Sequence, residues 1–350
     1  MIFCGKTVAQ GPLLPAVQAA AGERCVGVFA GVRSHSPRPD VEAGAAVLKR
    51  LLADAVIALG GGSATVTARA ATIFQAEGRT LSALATSRDA TGRMHSPRLS
   101  EPKLAQFVVP TTPNTATVKA GSAVFDPEAG RRFAMFDPKT RAQTVFVQPD
   151  ALMSAPRDLV RNATLDTLTL ALEGLCAPGG DPFADAQLMH AIRLIVLHLG
   201  RFAADDGPKL RTGLTMAAIL AGRGTDHTGA GVATVLGHAI GAVLGIDNGL
   251  AKAVVLPEAI RFNADHAGDD LAKVAVAMGL AQDHPGEHTA LALSTLFGGL
   301  GVPPRLRDLA VPRGALEEIA RHGMDDWFLA GNPRPVRDAE QLEALLERCW

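Results

Sequence analysis

Residues 53–63 read ADAVIALGGGS. The run from Ala53 to Leu59 is short, apolar and rich in residues that pack between two covered faces, which predicts a buried strand. It passes directly into Gly60, Gly61, Gly62 and Ser63, and residues Ala64 to Ala76 then carry a helical pattern. A strand that ends in glycines and opens a helix has a physical use. Glycine lets the backbone approach a phosphate closely, and the helix N-terminus offers free N–H groups and a partial positive charge. Taken alone, the three glycines fit an unliganded tight turn equally well.

The flanking sequence extends the pattern. Arg24 to Ala30 predicts a strand, Pro39 to Leu52 a helix, Thr80 to Ala85 a short strand, and Gln106 to Val109 another strand that ends in Pro110, Thr111 and Thr112. Alternation of this kind implies an α/β domain, a Rossmann-like parallel sheet with covering helices. In such a sheet ligands collect outside the carboxyl ends of the strands. One loop there supplies glycines; the other supplies Thr111 and Thr112, with Thr115 and Thr117 close behind. Together they would clamp a pyrophosphate. Three short strands are expected between Ser122 and Val147, and Pro149 and Pro156 then punctuate the chain. Beyond Pro156 the pattern is helical, at about 158–176, 182–201, 208–223, 227–245, 249–266, 269–280, 288–300, 304–310 and 314–322, with a loop at Asn332 to Asp338 and a closing helix. The 350 residues are too many for one ordinary core. Two domains follow: a dinucleotide-binding α/β domain at 1–155 and an all-α substrate domain at 156–350.

Composition excludes several classes. Hydrophobic residues are 47%, charged residues 20% and the formal net charge is -1, with no basic block to meet nucleic acid. Aromatics are 4% with no Tyr, which argues against a base-stacking platform. No apolar run reaches membrane-spanning length, and MIFCGKTVAQ lacks the core of a signal peptide. Cys4, Cys25, Cys176 and Cys349 have no paired spacing and are expected as reduced thiols in a cytoplasmic protein.

In the helical half, residues 166–173 (DTLTLALE) resemble the pattern D-A-L-x-H-A-x-E. Residues 238–263 (HAIGAVLGIDNGLAKAVVLPEAIRFN) resemble H-x-L-G…H-G…A-x-x-L-P-x-x-x-x-x-N. With GGGS at 60–63 and PTT at 110–112, the chain resembles the iron-containing alcohol dehydrogenase family over nearly its whole length, and within it the maleylacetate reductases. The resemblance implies a nucleotide-binding domain, a helical domain, and an active site in the interdomain cleft with a metal held by one Asp and three His. The Asp position is Asp166; the three His positions hold Leu170, Thr234 and Asn248. Leu offers no lone pair, and Thr and Asn are poor ligands for a transition metal, so no tightly bound metal is expected. Residues four apart on a helix share a face, which makes Asp166/Leu170 and Thr234/His238 vertical neighbours. His238 corresponds to a family histidine beside the metal, thought to relay protons; without the resemblance it would read as a hydrogen-bonded core residue. Val66, Arg69 and Val118 replace an Asp, a Lys and an acid of the family pattern. Lys252 follows Asn248 by one helical turn and is a candidate near the site, although by itself it reads as a solvated surface lysine.

The expected activity is therefore metal-independent hydride transfer between NAD or NADP and a small carbonyl or alcohol, maleylacetate reductase-like. His238 is the expected general acid, Asn248 and Thr234 hydrogen-bond the substrate oxygen, Asp166 orients one of these donors, and Lys252 lies nearby. The cofactor is expected against Gly60, Gly61, Gly62, Ser63, Thr111, Thr112 and Thr115. Arg33 and Ser34 stand where the family often places an acid for the ribose hydroxyls, and they leave room for a 2′-phosphate. Two alternatives stay open: a catalytically degenerate nucleotide-binding relative, and a nonredox enzyme on the same fold, as in dehydroquinate synthases. A small-molecule substrate and a homodimer are expected, with no nucleic-acid or membrane partner.

Overall fold

In a computed structural model, which describes residues 1–89 and 94–350, the chain divides into two compact units, Met1–Ala155 and Pro156–Trp350. The first unit is built on a five-stranded sheet in the order Val28–Val32, Ile2–Gly5, Ala55–Gly60, Ala105–Pro110, Thr144–Val145. Every neighbouring pair in it is parallel. A parallel sheet needs cover on both faces. Phe3, Val56, Ala58 and Val108 pack on one side with Leu48, Ala68 and Ala71 of helices Arg38–Arg50 and Gly62–Glu77. Ile2, Cys4, Leu59 and Val109 pack on the other with Leu14 and Ala151. An antiparallel hairpin, Gly121–Asp126 with Arg131–Phe136, follows the fourth strand in sequence.

Three features of this unit depart from expectation. The segment Ile2–Gly5 is a strand between two others, which so short an apolar run does not announce. The expected strand at Thr80 to Ala85 is instead a helical turn, Leu81–Leu84. Its two leucines are three apart and both enter one cluster with Val41, Ile73 and Val124; that spacing serves a helix and not a strand. The expected strand at Arg24 to Ala30 lies a few residues later, at Val28–Val32, because Gly22–Arg24 forms a 3₁₀ turn.

The second unit is helical: Arg157–Leu175, Pro182–Phe202, Pro208–Thr228, Val232–Leu244, Asn248–Asn263, Gly268–Met278, Pro285–Gly299, Leu316–Met324 and Ala339–Cys349, with short 3₁₀ turns. Helix Arg157–Leu175 is central and buries most of its length from Thr164 onward. Small residues set the close approaches. A Cβ on Gly249 would stand 1.9 Å from the carbonyl oxygen of Asn162, so the two backbones meet there and no side chain fits. The helix expected to begin near 227 begins at Val232, after a break in which Gly229 takes φ +87°. That break exposes the N–H groups of the following helix to side-chain partners, which matters below. The fold is thus an α/β Rossmann-like unit followed by a helical one. Among the described residues no single helix is long and apolar enough to cross a membrane.

Candidate active site

In the first unit, strands Ala55–Gly60 and Ala105–Pro110 run in register, with Gly60 opposite Pro110 and the Thr111 N–H donating to the Gly60 carbonyl at 3.0 Å. The glycine turn and the threonine loop therefore leave the sheet side by side. Gly60 takes φ +146°, which a residue with a side chain rarely adopts. Gly61 is the N-cap of helix Gly62–Glu77, and no side chain caps that end. A Cβ on Gly61 would lie 3.2 Å from Thr112 Oγ1, and one on Gly62 3.6 Å from Asn114 Oδ1. Asn114 Oδ1 is buried with no hydrogen-bond partner, while its amide nitrogen donates to the Thr112 carbonyl at 3.0 Å. This is a cradle that a side chain would fill, lined by a helix N-terminus, Ser63, Thr111 and Thr112; it fits an oxyanion such as a pyrophosphate. Thr115 is buried in the turn Thr115–Thr117 just beyond.

Arg69 proves to be the anchor of this loop. Its buried guanidinium donates to Gln106 Oε1 at 3.3 Å, the Gly121 carbonyl at 2.7 Å and the Ala116 carbonyl at 2.6 Å, tying strand, threonine loop and hairpin together. Arg33, at the end of strand Val28–Val32, forms a two-pronged pair with Asp40, Nε to Oδ2 at 2.9 Å and Nη2 to Oδ1 at 2.6 Å. Ser34 beside it is exposed.

In the second unit three helices carry the remaining candidates: Asp166 and Leu170 on Arg157–Leu175, Thr234 and His238 on Val232–Leu244, Asn248 and Lys252 on Asn248–Asn263. Lys252 is not on the surface. Its side chain is 2% exposed, and its Nζ lies 2.7 Å from Asp166 Oδ1, whose side chain is 29% exposed. The lysine stem runs under a glycine: a Cβ on Gly237 would stand 2.3 Å from Lys252 Cγ. One turn along, a Cβ on Gly241 would stand 2.3 Å from Asn248 Oδ1, an atom that is buried without a hydrogen-bond partner. Two glycines four apart thus admit two side chains four apart from the facing helix. Asp166, expected to orient a substrate donor, is instead paired with this ammonium.

Thr234 is wholly buried, and its Oγ1 has no hydrogen-bond partner; its backbone N–H, not its hydroxyl, is bonded to Glu173. Glu173 accepts N–H bonds from Ala233 at 2.5 Å and Thr234 at 3.1 Å, so its carboxylate caps the N-terminus left open by the glycine break. Burial pushes the Glu173 carboxyl above its ordinary value, and the N–H bonds and the Lys252 charge pull it partly back. Asn332 caps the same end, accepting from Val232 N at 3.0 Å, and forms a reciprocal amide pair with Asn263. Asn263 closes the LPxxxxxN motif, whose asparagine thus has a mechanical role.

His238 is held by a residue that sequence did not bring forward. Its Nδ1 lies 2.8 Å from Asp326 Oδ2, and Asp326 Oδ1 accepts the Phe328 N–H at 2.9 Å. Trp327 and Phe328 flank the imidazole, with ring centroids 6.3 Å and 6.1 Å away. One signal was available: an Asp before an aromatic pair suits the cap of a short turn, here Trp327–Gly331. Asp326 orients His238.

The four positions that the resemblance assigns to a metal do not fit one. An ammonium stands 2.7 Å from the single carboxylate and would repel a dication. Leu170 is a buried apolar side chain, and the Thr234 hydroxyl and the Asn248 amide are neutral groups that bind a transition metal poorly. Among the described residues no group of three or more His, Cys, Asp or Glu is placed to hold an ion.

A parallel sheet with a glycine turn at a helix N-terminus, followed by a helical unit carrying a carboxylate-held histidine, suits a nucleotide-dependent enzyme. Residues 1–149 match the family model described as iron-containing alcohol dehydrogenase, and residues 161–350 match its C-terminal model. The chain belongs to the iron-containing alcohol dehydrogenase family and is an NAD(P)-dependent oxidoreductase. It is 28% identical to lactaldehyde reductase of Escherichia coli strain K12 over 334 residues, 92% of this chain and 84% of that protein. Among solved structures it is similar to a 1,3-propanediol oxidoreductase, with TM-score 0.89 and 23% identity over 100% of this chain and 91% of the other. It is also similar to the maleylacetate reductase from Agrobacterium tumefaciens, with TM-score 0.80 and 21% identity over 100% and 88%.

Proposed function

We propose that this chain is a metal-independent, NAD(P)-dependent reductase of a small activated carbonyl, an aldehyde or keto acid, in the maleylacetate reductase-like branch of its family. The observation that carries the reading is the His238–Asp326 pair. Asp326 holds Nδ1, so Nε2 is the nitrogen turned away from the carboxylate, and it is the one we assign to proton delivery. A buried carboxylate at Nδ1 fixes the ring and stabilises the imidazolium, the same logic by which an Asp orients a catalytic His in acyl-transfer enzymes.

The cofactor's pyrophosphate is assigned to Gly61, Gly62, Ser63, Thr111 and Thr112, with Gly60 shaping the turn. When bound, the nicotinamide supplies a hydride, with both electrons, to the carbonyl carbon. The protein's part is to meet the charge that this leaves on oxygen. His238 gives that oxygen a proton and regains one from water; in the reverse direction it accepts the proton. Asn248 stays a candidate near the oxygen through its amide N–H; its Oδ1, buried without a partner, can only accept, as from the hydroxyl of the alcohol product. Arg33 and Ser34 admit either NAD or NADP. The four free cysteines suit a reducing compartment, and we read the protein as a cytoplasmic homodimer acting on a small molecule.

The test is turnover of the purified chain with NADH and NADPH against aldehydes and keto acids, with and without a chelator, beside metal analysis. Turnover that survives the chelator is expected. Nucleotide binding without turnover on any carbonyl, or one tightly bound transition metal per chain whose removal stops turnover, would overturn the proposal.

A further inference from the structure

We infer that Lys252 is the built-in cation of this site: its ammonium supplies, from within the chain, the fixed positive charge against which the carbonyl oxygen is reduced. This rests on the reductase assignment above.

The geometry begins with the glycine. Lys252 reaches Asp166 by laying its stem across helix Val232–Leu244 at Gly237, where a Cβ would stand 2.3 Å from Cγ and 3.3 Å from Cε. Any other residue at 237 would displace the stem. Gly237 immediately precedes His238 on the same helix, so the lysine stem is seated against the residue next to the proposed acid. The ammonium is buried while its partner Asp166 is part-exposed, so the pair meets solvent at the carboxylate edge, where the ammonium behind it offsets a negative charge that would otherwise repel the developing oxyanion. Burial of an ammonium is expensive unless it is paired and hydrogen-bonded. Asp166 provides the pairing at 2.7 Å, and Glu173 lies close enough to feel the same charge.

The chemistry needs such a charge. Reduction breaks the C=O π bond; the hydride's electron pair forms the new C–H bond, and the π pair moves onto oxygen. The oxygen then takes a proton from His238, giving alcohol and oxidised nicotinamide. Until that proton arrives the oxygen bears developing negative charge. A fixed cation that offsets the neighbouring carboxylate lowers the energy of that state without reorganising. Lys252 does this as a positioning residue: it holds Asp166 in one orientation and sets the local potential, without itself giving up a proton.

The experiment uses the full chain and three variants. Lys252→Met keeps the stem and removes the charge; it should lower kcat by about 10²-fold or more, the order seen when one stabilising donor is lost, with the NADH Kd unchanged. Lys252→Ala leaves a space the size of the missing stem. Propylammonium should restore part of its kcat, whereas 1-propanol, of similar size and uncharged, should not. A purely structural lysine would be rescued by both or by neither. Lys252→Gln should resemble Lys252→Met, since it lacks the charge. A Lys252→Met protein with near-normal kcat overturns the inference, as does equal rescue by the alcohol or no rescue by the amine. If Lys252→Ala does not fold, the Met and Gln variants still decide. Absence of turnover in the unmodified chain would instead sink the reductase assignment, and this inference with it.

Discussion

Substitution at Gly61 isolates the phosphate cradle from the rest of the molecule. Gly60 is unsuitable, because its φ of +146° would strain any replacement and confuse folding with binding. Gly61 has φ -80°, which any residue can adopt. A single added carbon would lie 3.2 Å from Thr112 Oγ1, a tight contact that a small rotation of Thr112 relieves. Gly61→Ala should therefore weaken NAD(P)H binding by about 1 kcal/mol, roughly fivefold. Gly61→Val adds two more carbons over the helix N-terminus and should keep the pyrophosphate from its N–H groups. Losing two charge-assisted bonds at about 1.5–3 kcal/mol each gives about 3–6 kcal/mol, or roughly 10²–10⁴-fold in Kd. Val is also a poor N-cap compared with Gly, at about 1 kcal/mol, which should lower the melting temperature by only about 2–4 °C. Titration calorimetry with NADH and NADPH, beside a melting curve on each sample, measures both terms. A Val variant that binds either nucleotide with unchanged Kd would place the phosphates elsewhere.

His238→Ala should reduce kcat by about 10²–10⁴-fold while leaving cofactor Kd intact, and Asp326→Asn should cost about 10–100-fold by loosening the imidazole. A His238→Ala protein that melts early yet keeps most of its rate would return His238 to a packing role. Glu173 makes a pH prediction. Its carboxyl is raised above the ordinary 4.5, chiefly by burial, so its contribution to stability is complete below that value and is lost as pH rises through the raised one. Glu173→Gln is neutral throughout, so the wild-type melting temperature should fall relative to the variant as pH rises above about 4.5; parallel profiles would show that Glu173 does not titrate across folding.

What could be read from sequence is what is local. The strand, glycine turn and helix at 55–77 are contiguous, and their periods of two and 3.6 are visible in a short window. The same reasoning fails at Thr80 to Ala85, where two apolar residues three apart suit a strand or a helical turn and the packing of Leu81 and Leu84 decides. His238 could be singled out by its place in a motif. Its partner Asp326 is 88 residues away in a segment that reads as an ordinary turn, and no local pattern joins them. Lys252, a candidate by its place one turn after Asn248, taken alone reads as a surface lysine for a sound reason: lysines are almost always exposed. What buries this one is a glycine on a different helix and a carboxylate on a third, neither of which is near it in sequence.

Those three residues also bear on how the site came to lack its histidines. If Leu170, Thr234 and Asn248 were the marks of decay, Asp166 would be left as a part-buried carboxylate with no cation, a costly arrangement that further change would remove. Instead an ammonium stands 2.7 Å from it, admitted by a glycine whose Cβ would collide with the lysine stem. Each part is of little use without the others: the lysine cannot reach past a side chain at 237, and it cannot stay buried without Asp166. The helix that carries Gly237 is in turn fixed by Glu173 and Asn332 at its N-terminus and by the His238–Asp326 pair farther along. A chain with no remaining use for charge at this place has no physical reason to hold all of these together. Their coincidence supports the proposal that this site keeps a use for a cation over the reading that its chemistry is spent.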